Sequence, residues 1–366
     1  MADPNGSRLY GLQILRFFAA FAVLFEHVMH EALSFGIAQD QTLAALEPFD
    51  FGVGVDVFFV ISGFIMAYIT ADKFGRPDAP GQFLSRRLVR LVPLYWLFTL
   101  AMLAAMVLVP GQLAHTVLNP AHILASYLFI PWLDSTGLAH PILGLGWTLN
   151  YEMYFYVIFA VMLVLPRRIG LWSLAALFCA LALIHPAIDP TQVQLTFWTD
   201  PIIVEFLFGI GLAVLAGRGT KLPVWIAATL AVAGVVGLGL GQLTDFGGTY
   251  HRVLLTGIPA ASLVAGTVFW PPRQPGRIGT WLVLGGDASF ALYLSHPFSI
   301  NVVILGWQKL HLGAPWLFIA VTIVTAVFAA IVIHLVLERP LLDRLNAALS
   351  RPKRPAPQIL NAPAGK

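Results

Sequence analysis

Long apolar runs separated by short polar connections set the pattern of this chain. Ten runs are long enough, or nearly long enough, to span: about 10–29, 51–70, 90–109, 147–165, 171–186, 200–216, 222–241, 252–270, 287–306 and 315–337. Each approaches the ~20 residues that a helix needs to cross a bilayer. The runs at 171–186 and 200–216 are the short ones. The pattern predicts an all-α fold, a polytopic transmembrane helix bundle of about ten spans. No internal repeat is visible.

Composition agrees. Of 366 residues 58% are hydrophobic and only 11% charged, where a soluble domain carries about twice that charged fraction. The mean hydropathy is +0.81 and the isoelectric point about 9.1. With both termini cytoplasmic, 18 of the 21 lysines and arginines fall on the inner side. Only Arg252 and Lys309 fall outside, and Arg16 lies within a span. The basicity is therefore anchoring charge, not a nucleic-acid footprint. An even number of spans preserves this asymmetry. The largest outer loop, about 110–146, holds His115, His122, Asp134 and His140 and the stretch YLFIPW, which reads as a short interfacial or re-entrant piece. Cys179 is the only cysteine, which excludes disulfides and thiolate metal clusters. Arg16 interrupts the first run, so it does not read as a cleaved signal peptide. The chain divides into a membrane-embedded unit over 1–340 and a basic, proline-rich, disordered tail over 341–366.

The first run, LQILRFFAAFAVLFEHVMH, carries Arg16 and His27, eleven residues apart. On a helix they share a face, with Gln13 and Ala20, about 16 Å apart along the axis. An arginine in hydrocarbon is expensive and should face a bundle interior or a wet cavity. The plainer reading is a snorkelling arginine and an interface histidine. Asp56 lies a turn inside the second span, as a catalytic carboxylate or a helix cap, and Gly63 on the same face admits a close neighbour. Arg86, Arg87 and Arg90 form one basic edge before the third span, a phosphate platform or plain anchors. Pro93 interrupts hydrogen bonding just beyond, and Tyr95 and Trp96 read as interface anchors. The fourth span opens GLGWTLNYEMYFY and sets Glu152 about 7 Å deep, beside Asn150, Tyr151, Tyr154 and Tyr156. Glu152 is either functional or the ion-pair partner of Arg16. In the ninth span Ser289, Tyr293 and His296 share a face, and Pro297 leaves the Tyr293 carbonyl without its helical donor. Asp287 reads as an N-cap. Glu205 and His334 are further ionisable groups within spans, and Glu338 and Arg339 read as inner-face anchors. No P-loop, HExxH or GxSxG is present, and the histidines lack metal-ligand spacing.

Taken together these stretches resemble the acyltransferase-3 family of integral membrane proteins, which O-acylate bacterial surface sugars. Arg16 and His27 match the family's arginine and histidine eleven apart, and Arg87 with Arg90 its arginine pair. GVDVFFVISGF is similar to the second-span signature. WTLNYE matches at Trp147 and Glu152, with Thr148 in place of serine. SFALYLSHPF and LERP resemble the closing motifs. The resemblance runs from Leu12 to Pro340 and leans toward exopolysaccharide acetyltransferases of the bacterial inner membrane. It implies acetyl-CoA, or another acyl-CoA, as donor, a glycan or lipid-linked sugar as acceptor, and no metal. His27 then serves as general base or acyl carrier, with Arg16 steadying the donor or the oxyanion. Glu152 or Asp56 orients the imidazole, as in a triad. Arg86, Arg87 and Arg90 hold the CoA phosphates. Trp147, Asn150, Tyr151, Tyr293 and His296 line the cavity. The rival readings are a proton-coupled transporter of a sugar or lipid-linked glycan, and a non-enzymatic component of a secretion complex.

Overall fold

The computed structural model describes residues 9–34, 50–108, 119–243, 248–271 and 274–350. They form a helix bundle with no strand among the described residues. Helix α1 is Tyr10–Ser34, α2 Gly54–Ile69, α3 Ala79–Leu108 and α4 Pro120–Tyr127. Then come α5 Trp147–Met162, α6 Arg167–Ile184, α7 Val193–Thr199, α8 Val204–Gly217 and α9 Val224–Gly241. Helix α10, Ile258–Val268, is entered through a π-helical turn, Val253–Gly257. The chain closes with α11 Arg277–Asp287, α12 Ser289–Lys309, α13 Pro315–Ile333 and α14 Arg339–Ser350. A second π-helical turn, His334–Glu338, joins the last two.

Among the described residues eight helices, α7 with α8 and α13 with α14 each counted as one, are long and apolar enough to cross a membrane. Helix α5, at 16 residues, and the stretch Val253–Val268 are shorter. Outward faces carry apolar side chains such as Trp172, Leu183, Val232, Val324 and Phe328. Hydrocarbon is the solvent such a surface suits.

Helix α2 is the hub, buried along nearly its whole length. It crosses α8 backbone to backbone. A Cβ at Gly63 would run into the Phe206 carbonyl, and one at Gly209 into that of Val60. Gly63 thus admits the close neighbour its spacing predicts. A second apolar core joins Leu24 and Val28 of α1 to Ile300 and Ile304 of α12 and Phe318 of α13.

Three local expectations change. Helix α3 runs unbroken through Pro93, losing a hydrogen bond without ending. Tyr95 is no interface anchor. It is fully buried and its hydroxyl donates to the Ser126 carbonyl, which with Trp96 Nε1 donating to Tyr127 ties α4 to α3. The first ten residues of the expected disordered tail are helical in α14. Its apolar Leu341, Leu342, Leu345 and Leu349 recur at helical spacing. His115 and the tail beyond Ser350 lie outside the described residues.

Candidate active site

The cavity of about 550 Å³ at the centre of the bundle is walled by α1, α2, α3, α5, the α11–α12 junction and the π-helical turn into α14. Along α2 it reaches from Val55 to Met66, about 16 Å of helix. Four arginines line it, Arg16, Arg87, Arg90 and Arg339, against four carboxylates, Glu152, Asp287, Glu338 and Asp343. Arg87 and Arg90 line it together with His334, Glu338, Arg339 and Asp343, and the Arg87 Nε is buried with no hydrogen-bond partner. Burial, and then Arg86 beside it, lowers the pKa of Lys73, in the connection just outside. Arg86 itself is exposed and points away from the cavity.

Two constellations face each other at mid-depth. Arg16 Nη2 donates to Ser289 Oγ at 3.0 Å and Nη1 to Gln13 Oε1 at 3.3 Å. Opposite, Glu152 Oε1 accepts from the Tyr156 hydroxyl and, at 3.2 Å, from Ser62 Oγ. Arg16 and Glu152 therefore share the cavity without forming an ion pair, the alternative left open by the sequence. Neutral groups, an amide and a hydroxyl on Arg16 and two hydroxyls on Glu152, hold the charged heads at the cavity wall, beside space that a substrate can fill.

Tyr293 closes the far end. Its hydroxyl donates to the Leu145 carbonyl at 2.8 Å and meets Thr148 Oγ1 at 2.7 Å. One turn on along α12, His296 lies 6.2 Å from Tyr293 and 5.0 Å from His27, ring centroid to ring centroid. Neither histidine lines the cavity. His27 Nδ1 lies 2.8 Å from the Val23 carbonyl. A carbonyl only accepts, so Nδ1 carries the proton and Nε2 is left as a bare acceptor. His27 is half-buried and His30, three residues on, is exposed.

Several candidates sit elsewhere. Asp56 orients no imidazole. Arg252 Nε and Nη2 each donate to its carboxylate at 3.0 Å, and Thr256 Oγ1 donates at 2.7 Å. These bonds engage both carboxylate oxygens, and it is fully buried. Trp147 stacks over Arg252, 5.7 Å from the guanidinium, and Tyr151 stacks on Phe197. Neither these nor Asn150 lines the cavity. Of the substrate or cavity candidates only Tyr293 does.

Other residues gain a place the sequence did not give them. Glu338 is no surface anchor. It is buried in the cavity wall, and His334 Nδ1 donates to its Oε2 at 2.8 Å. The spacing of four was a usable signal, since it sets the two on one helical face. Asp287 ends α11 and lines the cavity, while Ala288 occupies the N-cap of α12. Gln13 was placed on the face of Arg16 by its spacing, whereas Ser62 was visible only as a polar letter in an apolar run.

A model of a family described as an acyltransferase domain matches residues 9–335. The exopolysaccharide production protein ExoZ of Rhizobium meliloti (strain 1021) is 36% identical over 303 residues, which are 80% of this chain and 90% of that protein. The acyltransferase MdmB of Streptomyces mycarofaciens is 27% identical over 98% of both chains. The peptidoglycan O-acetyltransferase OatA of Listeria monocytogenes is 25% identical over 75% of this chain and about half of its own length, 49%. No solved structure matches. With the family model covering nearly the whole described bundle, the chain belongs to the acyltransferase-3 family of membrane acyltransferases.

Proposed function

We propose that the chain moves an acyl group, acetyl in the first instance, from cytoplasmic acyl-CoA to a hydroxyl of an exopolysaccharide or other surface glycan. The observation that carries this reading is the cavity itself. Its Arg87 and Arg90, one turn apart on α3, suit the phosphates of CoA, because guanidinium forks match phosphate oxygens. Its 16 Å of depth gives the extended pantetheine arm room to present a thioester near Tyr293. The histidine pair beyond lies where a sugar arriving from the opposite side would meet the thioester. ExoZ, named for exopolysaccharide production, favours a polysaccharide acceptor over peptidoglycan.

Each group then has a task. Arg87 and Arg90 hold phosphate. Arg16, kept in place by Gln13 and Ser289, steadies the donor carbonyl and the negative charge that grows on its oxygen. A sugar hydroxyl is a weak nucleophile, and the bare Nε2 of His27 takes its proton as general base. The new ester bond forms as the carbon–sulfur bond breaks, and the proton returns to the departing thiolate. Glu152 balances the cationic cavity and, through Tyr156 and Ser62, keeps its shape.

The test is purified protein in liposomes, given acetyl-CoA labelled in the acetyl group and an acceptor glycan. Label on the glycan, with one free thiol released per ester formed, is the expected result. Glycan movement across the membrane with no thiol release would replace this reading with the transporter.

A further inference from the structure

The imidazole of His296 has a feature that packing does not require. It is buried to 1% exposure, its Nδ1 lies 3.0 Å from the Leu292 carbonyl, and its Nε2 is buried with no hydrogen-bond partner. As in His27, the carbonyl fixes the proton on Nδ1. Two imidazoles thus lie edge to face at 5.0 Å, each with a bare acceptor nitrogen. In the neutral state no hydrogen bond can join two lone pairs. An unpaired buried acceptor is costly, and such groups in folded proteins call for an explanation.

A proton supplies one. At this separation the two ring nitrogens can come within hydrogen-bond reach of each other. A proton taken up by His27 Nε2 then has an acceptor waiting, in a dry place where such a bond is strong. We propose that His296 is the positioning partner of His27. It acts through His27 and not on substrate, and it accepts a hydrogen bond from the imidazolium formed as the sugar hydroxyl is deprotonated. No carboxylate is hydrogen-bonded to either imidazole: Glu26 and Glu31 on α1 lie close enough to His27 to act on it through charge, and Glu26 accepts from the Phe51 amide. Asp56 is bound to Arg252, and Glu152 accepts from Tyr156 and Ser62. Helix α13, packed on the other flank of α12, carries no titratable side chain. The proton balance is that of the transfer itself. The sugar O–H bond breaks, the proton sits between the two Nε2 atoms while the thioester opens, and it ends on the thiolate of CoA.

This inference rests on the acyl-transfer reading with His27 as base, and the experiment separates the two. Acetyl transfer is measured for wild type, His27→Ala, His296→Leu and His296→Gln, with acyl-CoA binding and the melting temperature recorded for each. The Leu side chain fills the space without an acceptor, and the Gln side chain brings a carbonyl oxygen. We expect His296→Leu to lose about 100-fold in kcat with an unchanged KM for acyl-CoA, and His296→Gln to recover at least tenfold of that. Wild-type kcat in His296→Leu, with His27→Ala inactive, would overturn the partnership and leave the base intact. Equal loss in Leu and Gln variants that both melt and bind donor as wild type does would also overturn it. Activity surviving in His27→Ala would overturn the reading beneath it.

Discussion

At the scale of single residues, the cavity separates charges that act from charges that hold. Glu152 faces open space with two hydroxyls on one oxygen. Glu152→Gln keeps that shape and removes the charge, and we expect transfer to fall about 100-fold while acyl-CoA still binds, read by labelled transfer beside calorimetry. Asp56→Asn should do the reverse. It breaks a buried bidentate pair, so the melting temperature in detergent should drop by several degrees while turnover per folded molecule changes less than threefold. A turnover loss in Asp56→Asn matching that of Glu152→Gln would put Asp56 back among the reacting groups. The sequence made Arg16 legible, because an arginine inside an apolar run has few places to go. It could not separate Asp56 from Glu152, since both are acids a turn or so inside a span. What separates them is Arg252, 196 positions away from Asp56. Glu338 was read as an anchor for the same reason, since its position at the end of a run does not reveal which way it points.

At the scale of elements, two devices position the cavity walls. The first is the α2–α8 crossing, where two glycines bring backbones together. Gly63→Val should push the helices apart at a cost of about 1–3 kcal/mol or more, seen as a lower melting temperature and weaker acyl-CoA binding. Unchanged stability in that variant would mean that the crossing relaxes freely. The second is the π-helical turn His334–Glu338. It turns both side chains into the wall just before α14, a kind of distortion that recurs at functional sites. Apolar pattern marked the helices of the bundle, though eight of span length stand among the described residues where ten spans were expected, and it does not register a π-turn, nor the short α11 that brings Asp287 to the cavity. The edge before the third span was legible as basic and ambiguous in purpose. Its three arginines are split by the helix, with Arg87 and Arg90 inward and Arg86 outward. Arg87→Ala and Arg90→Ala should each weaken acyl-CoA binding about tenfold, roughly 1.4 kcal/mol, and less so at high salt. Arg86→Ala should weaken it less than twofold. Three equal isotherms would reduce all three to anchors.

At the scale of the whole molecule, orientation rests on charge. From the 18-to-2 division we expect the loop around Thr136 outside and the turn around Thr220 inside. Both positions are exposed. With Cys179→Ser as background, single cysteines at these sites should differ. In intact cells an impermeant thiol reagent should label Thr136→Cys and spare Thr220→Cys, and the opposite pattern would invert the molecule and the direction of donor supply. Bundle architecture and family motifs were legible in the sequence because both live in contiguous stretches. The site was legible only in parts, because side chains from α1, α2, α5 and α12 meet there through packing that no single stretch encodes. The junction of Tyr293 with Thr148 and Leu145 has a consequence beyond chemistry. A cavity open along its length would be a leak, and every cell that makes the protein would pay in dissipated proton-motive force. Two hydroxyls and a carbonyl satisfying one another make an insulating plug. On the proposed reading, the protein would hand an acyl group from one side to the other while remaining, electrically, a wall.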